Sequence, residues 1–203
     1  MISVIIPYNK DRGYLGRAVE SIRKQDVDHE IILSHSDASV AVNFNNGLAK
    51  ARGEYCKFVC EDDYLMEGAL AKLEKGIQGF TWVFANALQS EAVEWVYRPG
   101  DYCNDFWTLD ANLKTNRIHG GTTLYNTEVL KEIGGMNEDL WTAEEYDMHL
   151  KLWSMGHAPN YIDETVYVHT LWGGQKSKVL RRTHKNERDE EIRRIQSLYS
   201  DKV

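Results

Sequence analysis

Glu54-Tyr55-Cys56-Lys57-Phe58-Val59-Cys60-Glu61-Asp62-Asp63-Tyr64-Leu65 runs a short apolar strand directly into three consecutive carboxylates. Like charges at a strand end repel one another unless a cation neutralises them, and hard oxygen ligands suit Mg²⁺ or Mn²⁺. In open α/β sheets, ligands bind in the crevice beyond the carboxyl ends of the strands. Glu61, Asp62 and Asp63 are therefore expected to face a pocket, with Asp63 turned toward the crevice and not the core. A solvated acidic turn is the alternative for any bare charge run.

The flanking sequence sets the fold class. Ser3-Val4-Ile5-Ile6 is a continuous apolar run that stops at Pro7, as a buried parallel strand does. Leu15, Ala18, Val19 and Ile22 give one apolar face at helical spacing, and residues 30–33 form a second strand. The pattern repeats with a helical stretch containing Leu48 and Ala51, a strand over 56–60, and a helix on which Leu70, Leu73 and Ile77 share a face. Residues 81–86 and 93–97 read as further strands. This alternation predicts an α/β domain with a mostly parallel central sheet flanked by helices. From Pro99 to Asn116 the periodicity blurs, which reads as loop and short helix. Thr142-Ala143-Glu144-Glu145 has capping-box spacing before a helix carrying Tyr146, Leu150 and Trp153. Residues 165–168 form a late strand. The charged tail places Ile192, Ile195 and Tyr199 at helical spacing. The expected organisation is one domain over 1–180 and a charged C-terminal helix over 181–203, packed on that domain or leading into a following one.

Composition narrows the partners. A chain of 203 residues accommodates one domain with a substantial core, and its net charge of −7 argues against a nucleic-acid partner. Cys56, Cys60 and Cys103 are odd in number and lack CxxC spacing, which points away from zinc and to a reducing cytoplasm. No apolar stretch approaches ~20 residues, so no transmembrane segment is expected. The chain reads as soluble, and it is compatible with one domain of a larger multidomain protein.

Four separated motifs then align with one family. They are Val4-Ile5-Ile6-Pro7-Tyr8-Asn9; Asn45-Asn46-Gly47-Leu48-Ala49-Lys50-Ala51-Arg52-Gly53-Glu54-Tyr55; Glu61-Asp62-Asp63; and Ile133-Gly134-Gly135-Met136-Asn137-Glu138-Asp139-Leu140 with Glu144-Glu145-Tyr146-Asp147. In order and spacing they resemble a family 2 glycosyltransferase of the GT-A fold over almost the whole chain. Three positions depart from that pattern: Ser34-His35-Ser36-Asp37 replaces an Asp-rich loop, Phe44 stands where many relatives carry arginine, and Cys60 occupies the place of the first acidic-motif Asp.

The resemblance implies an inverting enzyme that uses a nucleotide-diphosphate sugar, most simply a UDP-sugar, and a glycan or glycoconjugate acceptor. It assigns metal contact to Asp63, with Asp62 nearer the ribose and phosphates and His169 as a further ligand, for Mn²⁺ or Mg²⁺. Pro7, Tyr8, Asn9, Arg12, Asp37 and Asn45 fall on the nucleotide side. Lys176 and Lys178, in a Gly-containing loop, suit a lid over the diphosphate, or else an exposed basic tail. An inverting transfer needs a general base for the acceptor hydroxyl. Glu145 aligns with it, Glu144 is the alternate, and a plain helix cap is the competing role for Glu145. Gly120 and Gly121 resemble an acceptor-side floor, and Asp147 is structural or acceptor-binding. A nucleotidyltransferase is the competing enzyme class, although Pro7-Tyr8-Asn9-Lys10-Asp11-Arg12 lacks the glycines such enzymes carry after the first strand. A non-catalytic nucleotide- or sugar-binding domain is the third reading.

Overall fold

The structure is a computed structural model that describes residues 1–91, 95–96 and 108–202. Its first strand, β1 (Ile2–Tyr8), shows how the sheet is buried on both sides. Ile2, Val4 and Ile6 join Ala18, Ile22, Leu70 and Leu73 in one apolar cluster. Ile5 points the other way into a second cluster with Phe44, Phe58 and Trp82, as the two-residue strand period requires. Parallel neighbours flank β1: β2 (His29–His35) on one side and β3 (Tyr55–Phe58) on the other. Between them lie α1 (Leu15–Arg23) and α2 (Val40–Leu48). Ser39 caps α2, its Oγ accepting from Val42 N–H at 3.2 Å.

The expected stop at Pro7 does not occur, because β1 continues to Tyr8 with Pro7 in register with Ser34. Ile5 accepts from Val59 N–H, so Pro7, two residues on, turns its nitrogen to the same side. Pairing with β3 ends at the Ile5–Phe58 pair. The missing N–H of Pro7 therefore breaks no ladder bond.

Beyond β3 the expectation of a mostly parallel sheet is corrected. After β3 come β4 (Tyr64–Leu65), α3 (Ala69–Gly76), β5 (Trp82–Glu91), β6 (Trp95–Val96), α4 (Leu109–Lys114), β7 (Leu124–Asn126), α5 (Thr127–Glu132), α6 (Glu144–Ser154), β8 (Asn160–Leu171), α7 (Lys176–Thr183) and α8 (Lys185–Tyr199). The strand order is β2-β1-β3-β7-β5-β8-β4, with β6 on β5. β7 runs antiparallel between β3 and β5, β4 runs antiparallel to β8, and β5 with β8 is parallel. The sheet is mixed because β7 follows the 3₁₀ turn Gly120–Thr122 and not a crossover helix. Of the aperiodic stretch, α4 is the expected short helix. Residues 97–107, including Cys103, lie outside the described residues, as does most of the strand expected over 93–97.

The tail forms two helices. Buried Ile195 of α8 packs with Leu140, Tyr146 and Leu150, which fastens α8 to α6. No helix among the described residues is long and apolar enough to cross a membrane.

Candidate functional site

β3 ends and the chain turns through Cys60 to Asp63 beside the end of β8, and this junction builds the acidic centre. Asp63 is only 1% exposed, which corrects the expectation that it faces an open crevice. Three donors surround it. Oδ1 accepts from Thr170 N–H at 2.8 Å, while Oδ2 accepts from the Tyr167 hydroxyl at 2.7 Å and lies 3.3 Å from His169 Nδ1. Burial pushes its carboxyl up, but the charge and hydrogen bond of His169, with His119 and the Thr170 N–H, together outweigh that and leave it below the ordinary value. His169 moves reciprocally: burial lowers it, and Asp63 raises it further.

Asp62, beside it, accepts from the Trp172 indole N–H at 2.8 Å. Arg17 donates to the Asp62 carbonyl at 2.8 Å and to Thr170 Oγ at 2.7 Å while lying over the Tyr64 ring. Burial, reinforced by the charge of Asp63, holds the Asp62 carboxyl above its usual value. Glu61 pairs with Arg12 at 2.8 Å, and Arg12 also reaches Asn9 at 3.1 Å.

Among the described residues, two groups have ligand atoms within 4.8 Å of one another: Asp63, His119 and His169, and Cys60, Asp62 and Asp63. His119 differs from His169 in tautomer. Its Nδ1 accepts from Gly121 N–H at 3.1 Å, which leaves the ring proton on Nε2 and makes that nitrogen a donor. His169 turns its Nδ1 to the Asp63 carboxylate, which fixes the orientation of the ring. Asp63 is common to both groups, with His169 in the first and Asp62 in the second, and their carboxylate and imidazole donors suit a hard or borderline divalent cation.

Glu145 is the second centre, and its expected capping role is not realised. The capping box does not form: the N-cap is Ala143, in the left-handed region with φ 60° and no side-chain cap bond. Glu145 is then the second helical residue, not the third, so its carboxylate is not the reciprocal cap. A non-glycine residue held at positive φ is strained. Here it leaves Glu145 turned against Gly120. A Cβ at Gly120 would stand 2.5 Å from the Glu145 carboxyl carbon, and one at Gly121 would strike the Tyr167 ring. These glycines therefore accommodate the protein's own side chains, which corrects their expected role as a bare sugar floor. Burial, then the charges of Glu144 and Asp63, push Glu145 up to about 7.

The remaining expected residues divide. Pro7, Tyr8, Asn9 and Arg12 gather at the carboxyl end of β1, where Tyr8 lies 4.7 Å from its register partner His35. Asp37 is exposed just beyond β2. Asn45 is engaged elsewhere, bonding Met136 through both amide atoms and Glu138 through its nitrogen. It lines a separate cavity of about 390 Å³ with Gly135, Glu138, Asp147 and Lys151. Asp147 accepts from the Tyr199 hydroxyl at 3.0 Å, so α8 covers it. Lys176 and Lys178 sit on the first turn of α7 and not in a glycine loop, and Lys176 pairs with Glu144 at 2.7 Å. Sequence reasoning missed Lys57 and Tyr167 as members of the site, and it gave no individual role to His119, in the stretch read as an acceptor-side floor, or to Trp172, in the stretch read as a lid.

No family model matches the chain. A GalNAc(5)-diNAcBac-PP-undecaprenol beta-1,3-glucosyltransferase of Campylobacter jejuni subsp. jejuni serotype O:2 is 34% identical where the two align, over 43% of this chain and 38% of that protein. S. aureus TarS 1-349 in complex with UDP superposes with a TM-score of 0.71 at 18% identity, covering 98% of this chain and 64% of that one. The complex with UDP-GlcNAc gives 0.67 at 18% identity, over 86% and 59%. The chain thus shares the α/β fold of a protein solved with UDP and with UDP-GlcNAc. It spans less than two thirds of these relatives, 38% of the curated one and 59% of the chain bound to UDP-GlcNAc.

Proposed function

We propose that the chain is an inverting, metal-dependent glycosyltransferase of the GT-A type that uses a UDP-sugar and a glycan or glycoconjugate acceptor. The observation that carries the reading is Asp63 shared between two potential ligand groups, one with His169 and one with Asp62, beside a carboxylate, Glu145, that is packed against Gly120 and raised to about 7. A group poised there suits proton abstraction at physiological pH. The likeness to a glucosyltransferase and to a UDP-binding fold supports the same reading.

In this mechanism the donor's nucleoside lies along Tyr8, Asn9 and Arg12. Glu145 takes the proton of the acceptor hydroxyl, whose oxygen bonds to the anomeric carbon as the bond from that carbon to the diphosphate breaks and UDP departs. A divalent cation bound by Asp62, Asp63 and His169 would supply charge neutralisation of the leaving diphosphate. Asp63 orients His169, and the Trp172 indole fixes the Asp62 carboxylate. Lys176, paired with Glu144, is a further cation that the diphosphate would draw away from that carboxylate.

The test is a thermal-shift panel of nucleotide-sugars with and without Mn²⁺, followed by turnover of the stabilising donor. Stabilisation by UDP-sugars that requires Mn²⁺, with UDP released, is the expected result. Binding without turnover or donor hydrolysis would identify a binding domain, and pyrophosphate release from a nucleoside triphosphate and a sugar phosphate a nucleotidyltransferase.

A further inference from the structure

Lys57 has no exposed surface, although it sits in the strand that delivers the acidic cluster. Its ammonium donates to the Phe58 carbonyl at 3.1 Å and to the Gly121 carbonyl, and lies 5.2 Å from the centre of the Tyr167 ring. A buried cation is unfavourable unless bonded and matched by opposite charge. An apolar side chain would fill the same strand position without that cost.

What Lys57 holds is the dipeptide on which the site converges. Gly120 backs the Glu145 carboxylate and Gly121 abuts Tyr167. The Gly121 N–H fixes the His119 tautomer. Tyr167 in turn donates to Asp63 and accepts from Cys60 N–H at 3.2 Å. The base side and the acidic side of the site are therefore joined through one turn, and that turn is tied to β3 by one amine.

We propose that Lys57 is a positioning residue for sugar transfer, pinning the Gly120-Gly121 turn beneath Glu145 and supplying the buried positive charge that faces this carboxylate. The role rests on reading Glu145 as the general base. The groups around Glu145 come from four elements and act in opposite senses. Glu144 of α6 and Asp63 after β3 push its carboxyl up, whereas His169 of β8 and Lys57 of β3 pull it down. Tyr125 of β7 and Cys60 also feel its charge and remain neutral near pH 7, because burial raises both. Burial in turn brings Lys57 down to about 7, against the raising influence of Cys60, Glu145, Cys56 and Asp63.

Two substitutions should move the chemistry in opposite directions. Lys57→Met keeps the stem and removes the charge, so the acid limb of the kcat profile, where the base becomes ionised, moves to higher pH. Lys57→Arg keeps a charge that does not titrate, so the same limb moves to lower pH. The probe is whichever UDP-sugar the wild-type protein turns over or hydrolyses. For the Met variant kcat should fall ~10- to 100-fold while the donor KM changes little, as expected of a displaced base. A Lys57 that only packs would lower activity in both variants and leave the limb in place, and that result overturns the proposal. Thermal unfolding establishes which variants are folded, and either alone suffices because each has its own required direction. Should neither fold, carbon NMR of the wild-type Glu145 carboxyl and Lys57 ε-carbon must show two coupled transitions, and independent titrations would refute it. Absence of any donor turnover by the wild-type protein would instead count against the glycosyltransferase reading, and the NMR titration would still judge Lys57.

Discussion

Replacing Glu145 by Gln separates catalysis from stability, because the two should move in opposite directions. A carboxyl at 4.5 in the unfolded chain and about 7 in the fold binds a proton in the native state that the unfolded state releases. Native stability therefore falls as pH rises from about 4.5 to about 7, with the full cost present above the folded value. The difference corresponds to about 3 kcal/mol at most, with the opposing pull of His169 and Lys57 already contained in it. Gln keeps the shape and cannot ionise. The variant should thus be more stable than wild type near pH 8 and indistinguishable from it near pH 4. In a domain of this size the gain is up to roughly 10 °C in Tm. Calorimetric unfolding across that pH range measures it. Transfer measured beside it should fall by about 10²- to 10⁴-fold, with UDP affinity nearly constant. A Tm difference that does not vary with pH would show that Glu145 is ordinarily ionised in the fold. Wild-type turnover in the variant would remove it as the base and leave Glu144 as the next candidate.

The two glycines of the turn give a paired test. Gly120→Ala meets only the end of the Glu145 side chain, so the protein should keep its Tm within a few degrees while losing most activity. Gly121→Ala meets the buried Tyr167 ring and should lose about 1–3 kcal/mol in denaturant unfolding; equal Tm values for the two would contradict these contacts. Asp63→Asn cannot accept from Tyr167, His169 and Thr170 together, so it should destabilise by about 1–3 kcal/mol as well as weaken Mn²⁺-dependent UDP binding. Because the Asp63 carboxyl is lowered in the fold, its contribution is present above the unfolded value of 3.8 and disappears as pH falls through the folded one. The deficit of the Asn variant should shrink in acid. An Asn variant as stable as wild type at neutral pH would mean that Asp63 faces solvent.

The parts legible in the sequence are those that periodicity alone determines. Alternation along residues 2–6 is enough to separate Ile5 from Val4 and Ile6, and the two clusters they join are the two faces of the sheet. Strand direction is a different kind of information. It depends on where the chain re-enters the sheet, and β7 re-enters from an aperiodic stretch through a 3₁₀ turn, so the mixed sheet had no local signal. The capping-box spacing misled by one residue, since alanine is not a residue that marks a left-handed turn, yet Ala143 adopts one. Asp63 looked crevice-facing because a charge run says nothing of the donors that meet it. Part of that enclosure could nevertheless have been read. Tyr167 and His169 are two apart on a strand and so share a face, and both reach the same oxygen of Asp63. A tyrosine paired at that spacing with a candidate ligand histidine, and alternating with the apolar Val166 and Val168, points to a polar partner buried opposite. Lys57 carried the complementary signal. A lysine between Cys56 and Phe58 breaks the apolar run at a position whose neighbours are fully enclosed, and an enclosed ammonium requires acceptors. The buried donor face on β8 is answered by Asp63, and the buried cation on β3 by the Gly121 carbonyl of the turn that Glu145 packs against, so Tyr167 and Lys57 link the two carboxylates through Gly120 and Gly121.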